Sequence, residues 1–337
     1  MMNCSRHRVP TSMVWGACGL LILPGALLNA HHASAPFYDN SREVEVEGEI
    51  TEVLWQNPHI RFTLRDGEGR DWDIETTSVS VLSRWGLDED VVDVGSRVRL
   101  AGRPGRLSDT AMWVSNMLLP NGQEVLLSSR PRWTDNTIGE DLRDEITAAP
   151  ELGLFRVWTS AGRLWNNNYP LTEFARTARA GWDPIADEPT ANCAPKGMAF
   201  IMENPYPMEF VDEGDRILLY IEEYDLVRTI YMTAAGLPSN PEPNLLGHSV
   251  GYWEGDTLVV DTTHINYPHF DKTGIPQTED VRNLERFTVN EEGSRLEYSV
   301  TVTDPAIFTE PVVMTKAWAY RPGETINPYD CQPWSAE

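Results

Sequence analysis

Three short segments between residues 211 and 294 turn the chain in the same way. They are Val211-Asp212-Glu213-Gly214-Asp215, Tyr252-Trp253-Glu254-Gly255-Asp256 and Asn290-Glu291-Glu292-Gly293-Ser294. Each puts an acid before glycine and leads into a strand-like run that contains leucine. Glycine supplies the positive φ that a tight hairpin turn requires. Successive hairpins constrain the chain to an antiparallel meander, and closing the meander into a barrel leaves no edge strand bare. The expectation is a lipocalin-like antiparallel β-barrel over 201–337, with a first strand near 152–159.

A second β-rich unit lies upstream. Val44 to Ile50 alternates with period two, as does Ile60 to Leu64, and the turn Asp66-Gly67-Glu68-Gly69 leads into Trp72-Asp73-Ile74-Glu75. A short helix from Val79 to Trp85 ends at Gly86, and strands follow at Arg97 to Gly102 and Met112 to Leu119. Five strands with one helix between the third and fourth is the order of an OB-fold barrel. The expected class is therefore all-β: an OB-fold-like small barrel over 31–130, then an irregular segment over 131–200 packing on the lipocalin-like barrel. Within that segment Leu154 to Trp158 suggests a strand, and Thr172 an N-cap for a helix from Glu173 to Ala180.

The first thirty residues read as a signal peptide. Arg6, His7 and Arg8 precede an apolar run, Met13 to Leu28, that Pro24 and Gly25 interrupt. Cleavage after Ala30 predicts an exported protein, periplasmic or secreted, with no membrane anchor left. It removes two arginines and no acid, moving the net charge from −24 to −26. So acidic a chain argues against nucleic acid or anionic membrane as partners. Cys4 and Cys18 leave with the signal, and Cys193 and Cys331 remain for a disulfide in an oxidising compartment. No serine elbow, phosphate loop, dinucleotide fingerprint or His-Glu-x-x-His zinc helix is present.

Candidate chemistry centres on Gly247 to His264, which holds a histidine near each outer end of a hairpin. Pairing even positions with even would gather Val250, Tyr252, Leu258 and Val260 on one apolar face, and register follows the buried face. That register turns His248, Thr262 and His264 inward. Glu285 shares a face with Phe287 and Val289, where burial would raise its pKa. His248, Glu285 and His264 then form an acid–base set for hydration, isomerisation or hydrolysis, without a cofactor, of a small apolar or aromatic molecule. Tyr206, Tyr252, Thr262 and His269 would line its site. A bland alternative pairs Glu285 with Arg282 or Arg286 at a barrel rim, and Tyr206 between two prolines suits packing.

Two resemblances follow from the motifs. The N-terminal unit resembles an uncharacterised exported bacterial family that begins His-His after the signal and carries Trp-x-Asn-Pro-His, here Trp55-Gln56-Asn57-Pro58-His59. The C-terminal unit resembles another such family, marked by Cys193-x-Pro-x-Gly-Met198, Pro205-Tyr206-Pro207, Gly247 to Gly251, Trp253 to Thr262 and a late cysteine, Cys331. Where that family shows Asp-Gly-Arg and His-Pro, this chain has Ala234-Ala235-Gly236-Leu237-Pro238. Neither resemblance implies an activity. Two other readings therefore stand beside the acid–base one. The first is a copper site built from the free amine and ring of His31, with His32 and His59, since copper favours nitrogen ligands. The second is a non-enzymatic carrier of a hydrophobic small molecule.

Overall fold

The computed structural model describes residues 36–127, 130–139, 147–162, 168–191 and 193–331. The chain is all-β, as expected. The first unit contains β1 (Val44–Leu54), β2 (Arg61–Asp66), β3 (Asp71–Glu75), helix α1 (Val79–Arg84), β4 (Arg97–Pro104) and β5 (Ala111–Leu118). Strand β1 pairs antiparallel with β2 and β4, and β3 pairs parallel with β5, which closes a five-stranded ring in OB order. Inward positions Ile50, Phe62, Leu64, Ile74, Leu100, Met112 and Val114 form its core. Helix α1 plugs one end; Ser78 caps it by accepting from Val81 N at 3.2 Å, and Gly86 exits it with φ 71°.

The OB sheet runs on past the boundary expected at 130, through β6 (Glu124–Leu126) and β7 (Thr137–Ile138). The reason is electrostatic. Glu124 accepts the backbone N–H groups of Arg132, Trp133 and Thr134, and the Arg132 guanidinium reaches back to Glu43 and Glu45, each at 2.7 Å.

The second unit begins with β8 (Val157–Ser160) and α2 (Glu173–Ala180), which Thr172 caps. It continues with β9 (Met208–Asp212), β10 (Arg216–Ile221), β11 (Leu226–Tyr231), β12 (His248–Glu254), β13 (Thr257–Thr263), β14 (Arg282–Val289), β15 (Arg295–Thr303) and β16 (Val312–Ala319). Strands β8 to β16 close a nine-stranded barrel. An odd ring cannot alternate direction all the way round. The barrel therefore departs from the antiparallel expectation at one pair, β11 and β12, which run parallel. Residues 232–247 supply the long crossover a parallel pair needs. The interior is filled by side chains: Phe210, Phe287, Tyr298 and Trp318 step across it with ring centroids 5.2, 4.9 and 5.5 Å apart. Met198 to Met202, Phe270, Ile275 and Phe308 add to the same core. Cys193 and Cys331 are disulfide-bonded, as expected, tying the C-terminal tail to the segment before β9.

Candidate functional site

The register of the β12–β13 hairpin overturns the inward placement of His248. Glu254 pairs with Thr257, leaving Gly255 and Asp256 as a two-residue turn, with Gly255 at φ 61°. Such a turn pairs even positions with odd ones, so Val250 meets Asp261 and Tyr252 meets Val259. Turn geometry outweighs the apolar segregation on which the other register rested. Ser249, Leu258, Val260 and Thr262 face the core, while Tyr252 is 46% exposed. His248 is half-buried on the outer side, its Nε2 2.8 Å from the Glu242 carbonyl and 3.1 Å from Asn244 Nδ2. His264 is exposed beyond the strand end at φ 56°, its ring 6.0 Å from that of His248. The proposed acid–base set is thus divided between two faces of the sheet.

Thr262 and Glu285 do point inward, both fully buried. Glu285 pairs with neither Arg282, which holds Asp261, nor Arg286, which holds Glu254. Its partner is Arg228, on the inner face of β11 and 1% exposed. Arg228 donates from Nη1 to Glu285 Oε1 at 3.0 Å and from Nη2 to Oε2. It also donates from Nη2 to Thr262 Oγ1 at 2.7 Å and from Nε to Ser249 Oγ at 3.0 Å. Tyr298 donates to Glu285 Oε1 at 2.9 Å. Burial and the Glu285 charge push the Tyr298 phenol far up, so it stays a donor. Both carboxylate oxygens and all three guanidinium nitrogens are engaged. The arrangement neutralises charge inside a packed barrel and leaves no oxygen for a substrate.

The remaining expected ligand residues separate. Tyr206 is buried at the joint between the units, donating to the Pro58 carbonyl at 3.2 Å. His269 sits in a loop, its ring edge-on to Trp182 and Tyr267, and burial lowers its pKa.

A second cluster lies on the outer face of the OB unit, where β2, β3 and β5 meet. His59, just before β2, is 7% exposed, and its Nδ1 hydrogen-bonds Glu75 Oε1. The other oxygen of Glu75 accepts from Tyr38 Oη at 2.6 Å. Trp113 of β5 packs edge-on against both rings, 5.0 Å from His59 and 5.7 Å from Tyr38. Arg61 and Asp73 pair beside them on the same face. With Nδ1 as the donor to a carboxylate, the ring's lone pair resides on Nε2, the tautomer suited to binding a metal or accepting a proton. Tyr38 belongs to the segment entering the unit, which pairs with the end of β4: Phe37 O accepts from Arg106 N at 2.7 Å. The described start of the chain therefore converges on His59. His31 and His32 lie outside the described residues, and among the described residues no three His, Cys, Asp or Glu side chains gather as a metal-ligand set.

Sequence reasoning missed Arg228, Glu75 and Tyr38. Arg228 left a signal, a cation on the apolar parity of Leu226 and Ile230. Glu75 and Tyr38 left none, because a tertiary contact spanning 37 positions brings them together.

Residues 21–112 match a family of unknown function, DUF6152. The match spans the strands and helix of the OB unit up to the start of β5, and with it His59 and Glu75. The N-terminal unit thus holds a domain of unknown function. No curated protein matches the chain.

Proposed function

We propose that the chain is an exported copper-binding protein whose metal-facing group is His59 on the OB unit, with the nine-stranded barrel as scaffold. The observation that carries this reading is the Glu75 carboxylate holding His59 by Nδ1 while Tyr38 secures the same carboxylate. A histidine pre-oriented by a carboxylate is a better metal ligand, because tautomer and ring angle are set before the ion arrives. Signal cleavage after Ala30 would supply the rest: the amine and ring of His31, with His32 beside it. From Tyr38 back to His31 the chain can span at most roughly 25 Å, so both are within reach of His59. An N-terminal amine and imidazoles make an all-nitrogen set, on which Cu(II) outcompetes the other first-row divalent ions. The net charge of −24, or −26 once processed, favours a cation over an anionic ligand. The His-His and Asn-Pro-His marks of the N-terminal resemblance fall on these same residues.

Calorimetric titration with Cu(II) tests the proposal on protein beginning at His31. One equivalent should bind. Binding should weaken at least ~10-fold in His59→Ala, and again when one extra residue precedes His31, which removes the free amine. Affinity indifferent to both changes would reject the site.

A further inference from the structure

The loop that carries His59 is held from the other unit at two points. Asn57 donates through Nδ2 to Glu222 Oε1 at 2.9 Å, and Tyr206 donates to the Pro58 carbonyl at 3.2 Å. Both holders are backed by one stretch of chain, residues 320–331, which leaves β16 where Tyr320 N donates to the Ser294 carbonyl at 2.9 Å. Asn327 donates to Glu222 Oε2 from N at 2.8 Å and from Nδ2 at 3.4 Å. Tyr329 is buried, its ring centroid 5.2 Å from that of Tyr206 and 5.2 Å from that of Tyr224. Its N–H donates to the Asp225 carboxylate, at 3.0 and 3.3 Å from the two oxygens. Tyr224 and Asp225 take left-handed φ values of 65° and 50°, a strain that non-glycine residues keep only where their surroundings hold them. Tyr329 supplies that hold. Two residues further on, Cys331 is bonded to Cys193, so the stretch is anchored at both ends.

We infer that residues 320–331 are a strap that positions the Asn57-Pro58-His59 loop, with the Cys193–Cys331 disulfide as its redox-sensitive lock. Both cysteines are half-buried, within reach of a dithiol reductant. Attack by one sulfur of the dithiol forms a mixed disulfide with one cysteine and releases the other as a thiol. The second sulfur of the dithiol then displaces the first cysteine. Two electrons and two protons pass to Cys193 and Cys331, and the dithiol leaves as a disulfide. The strap is then anchored at β16 alone. A strap about a dozen residues long gains chain entropy on lifting once its far end is free, worth roughly 100-fold in opening. Lifting withdraws the backing from Glu222, Tyr206 and the strained turn together. The sheets of the two barrels pair without it. Only the consequence for ligand binding rests on the reading of His59 as a metal ligand; the movement of the loop does not.

Hydrogen exchange on the metal-free full chain, oxidised and after treatment with dithiothreitol, tests the strap at constant pH. The reporters are the N–H groups of Val79, Asn327 and Tyr329, which are donated to Asn57, Glu222 and Asp225. All three should exchange at least ~10-fold faster on reduction, with β13 to β15 remaining the slowest part of the chain. Cys193→Ser/Cys331→Ser should match the reduced chain with no reductant present. Tyr329→Ala, with the disulfide intact, should quicken Val79 as well. Unchanged exchange at Val79 after reduction would overturn the strap. So would reporters and barrel strands exchanging at one common rate, since the disulfide would then brace the whole fold. Cu(II) titration of the serine pair, which has no thiol to compete for the metal, is read separately. Binding several-fold weaker than in the oxidised chain supports control of the His59 site. Equal affinity beside quickened Val79 exchange rejects that link and leaves the strap standing.

Discussion

The buried pair Arg228–Glu285 offers a sharp test of whether the barrel interior is scaffold or reaction chamber. Arg228→Met removes the only counter-charge of Glu285 among the described residues while leaving Tyr298 and Thr262 as its donors. An uncompensated charge in a site with 0% exposure costs about 3–5 kcal/mol. Glu285→Leu strands Arg228 in the same way, with only the Ser249 and Thr262 hydroxyls against it, and should cost a similar amount. Replacing both together removes two desolvated charges at once and should land within ~1 kcal/mol of wild type or above it. The double-mutant cycle then carries a coupling of at least ~5 kcal/mol. Urea unfolding followed by tryptophan fluorescence and by circular dichroism measures it, with coincident transitions as the check on two-state behaviour. A single substitution costing under ~1 kcal/mol, or additive effects in the double variant, would refute the reasoning.

Two other perturbations follow from buried polar groups. Lys316 faces the core of β16, donating to the Met202 and Asn204 carbonyls, and burial lowers its pKa to about 7. The folded state then binds fewer protons than the unfolded one between about 7 and the ordinary 10.5, so stability should rise across that window by up to ~1.4 kcal/mol per pH unit. In Lys316→Met this rise should vanish in denaturant titrations, and its persistence would assign it to another group. Asn283 points inward from β14 at 0% exposure, and neither of its amide atoms has a partner among the described residues. Asn283→Leu should raise stability by ~1–3 kcal/mol, and a loss in thermal unfolding would show that the amide is satisfied in solution.

What could be read from the residues depended on how local the deciding interaction is. The OB order was legible because period-two alternation, the Asp66–Gly69 turn and the capped helix at Ser78 are each set within a few positions. The same holds for α2 behind Thr172 and for the shared face of Glu285 and Phe287. The β12–β13 register was not legible from apolar segregation along the strands, because the two turn residues Gly255 and Asp256 set the parity. Applying the two-residue turn rule first would have put His248 outside and Ser249 inside. The parallel β11–β12 pair follows from an odd strand count, which depends on β8 closing against β16 across a separation no local pattern reports. The candidate site was half visible. His59 stood in a recognisable motif, but Glu75, which holds it, acts through a contact formed only once the OB unit is folded, and Glu222, which holds its loop, through one formed only once the two units are joined.

On the proposed copper reading, His59 and not the barrel interior meets the ligand. Electron paramagnetic resonance of protein starting at His31, loaded with one equivalent of Cu(II), tests it most directly. The proposed site should give a single type of Cu(II) centre with hyperfine splitting from several nitrogens, losing one nitrogen in His59→Ala and unchanged in Glu285→Gln. A spectrum of loosely bound, oxygen-ligated copper, or one indifferent to His59→Ala, would contradict it.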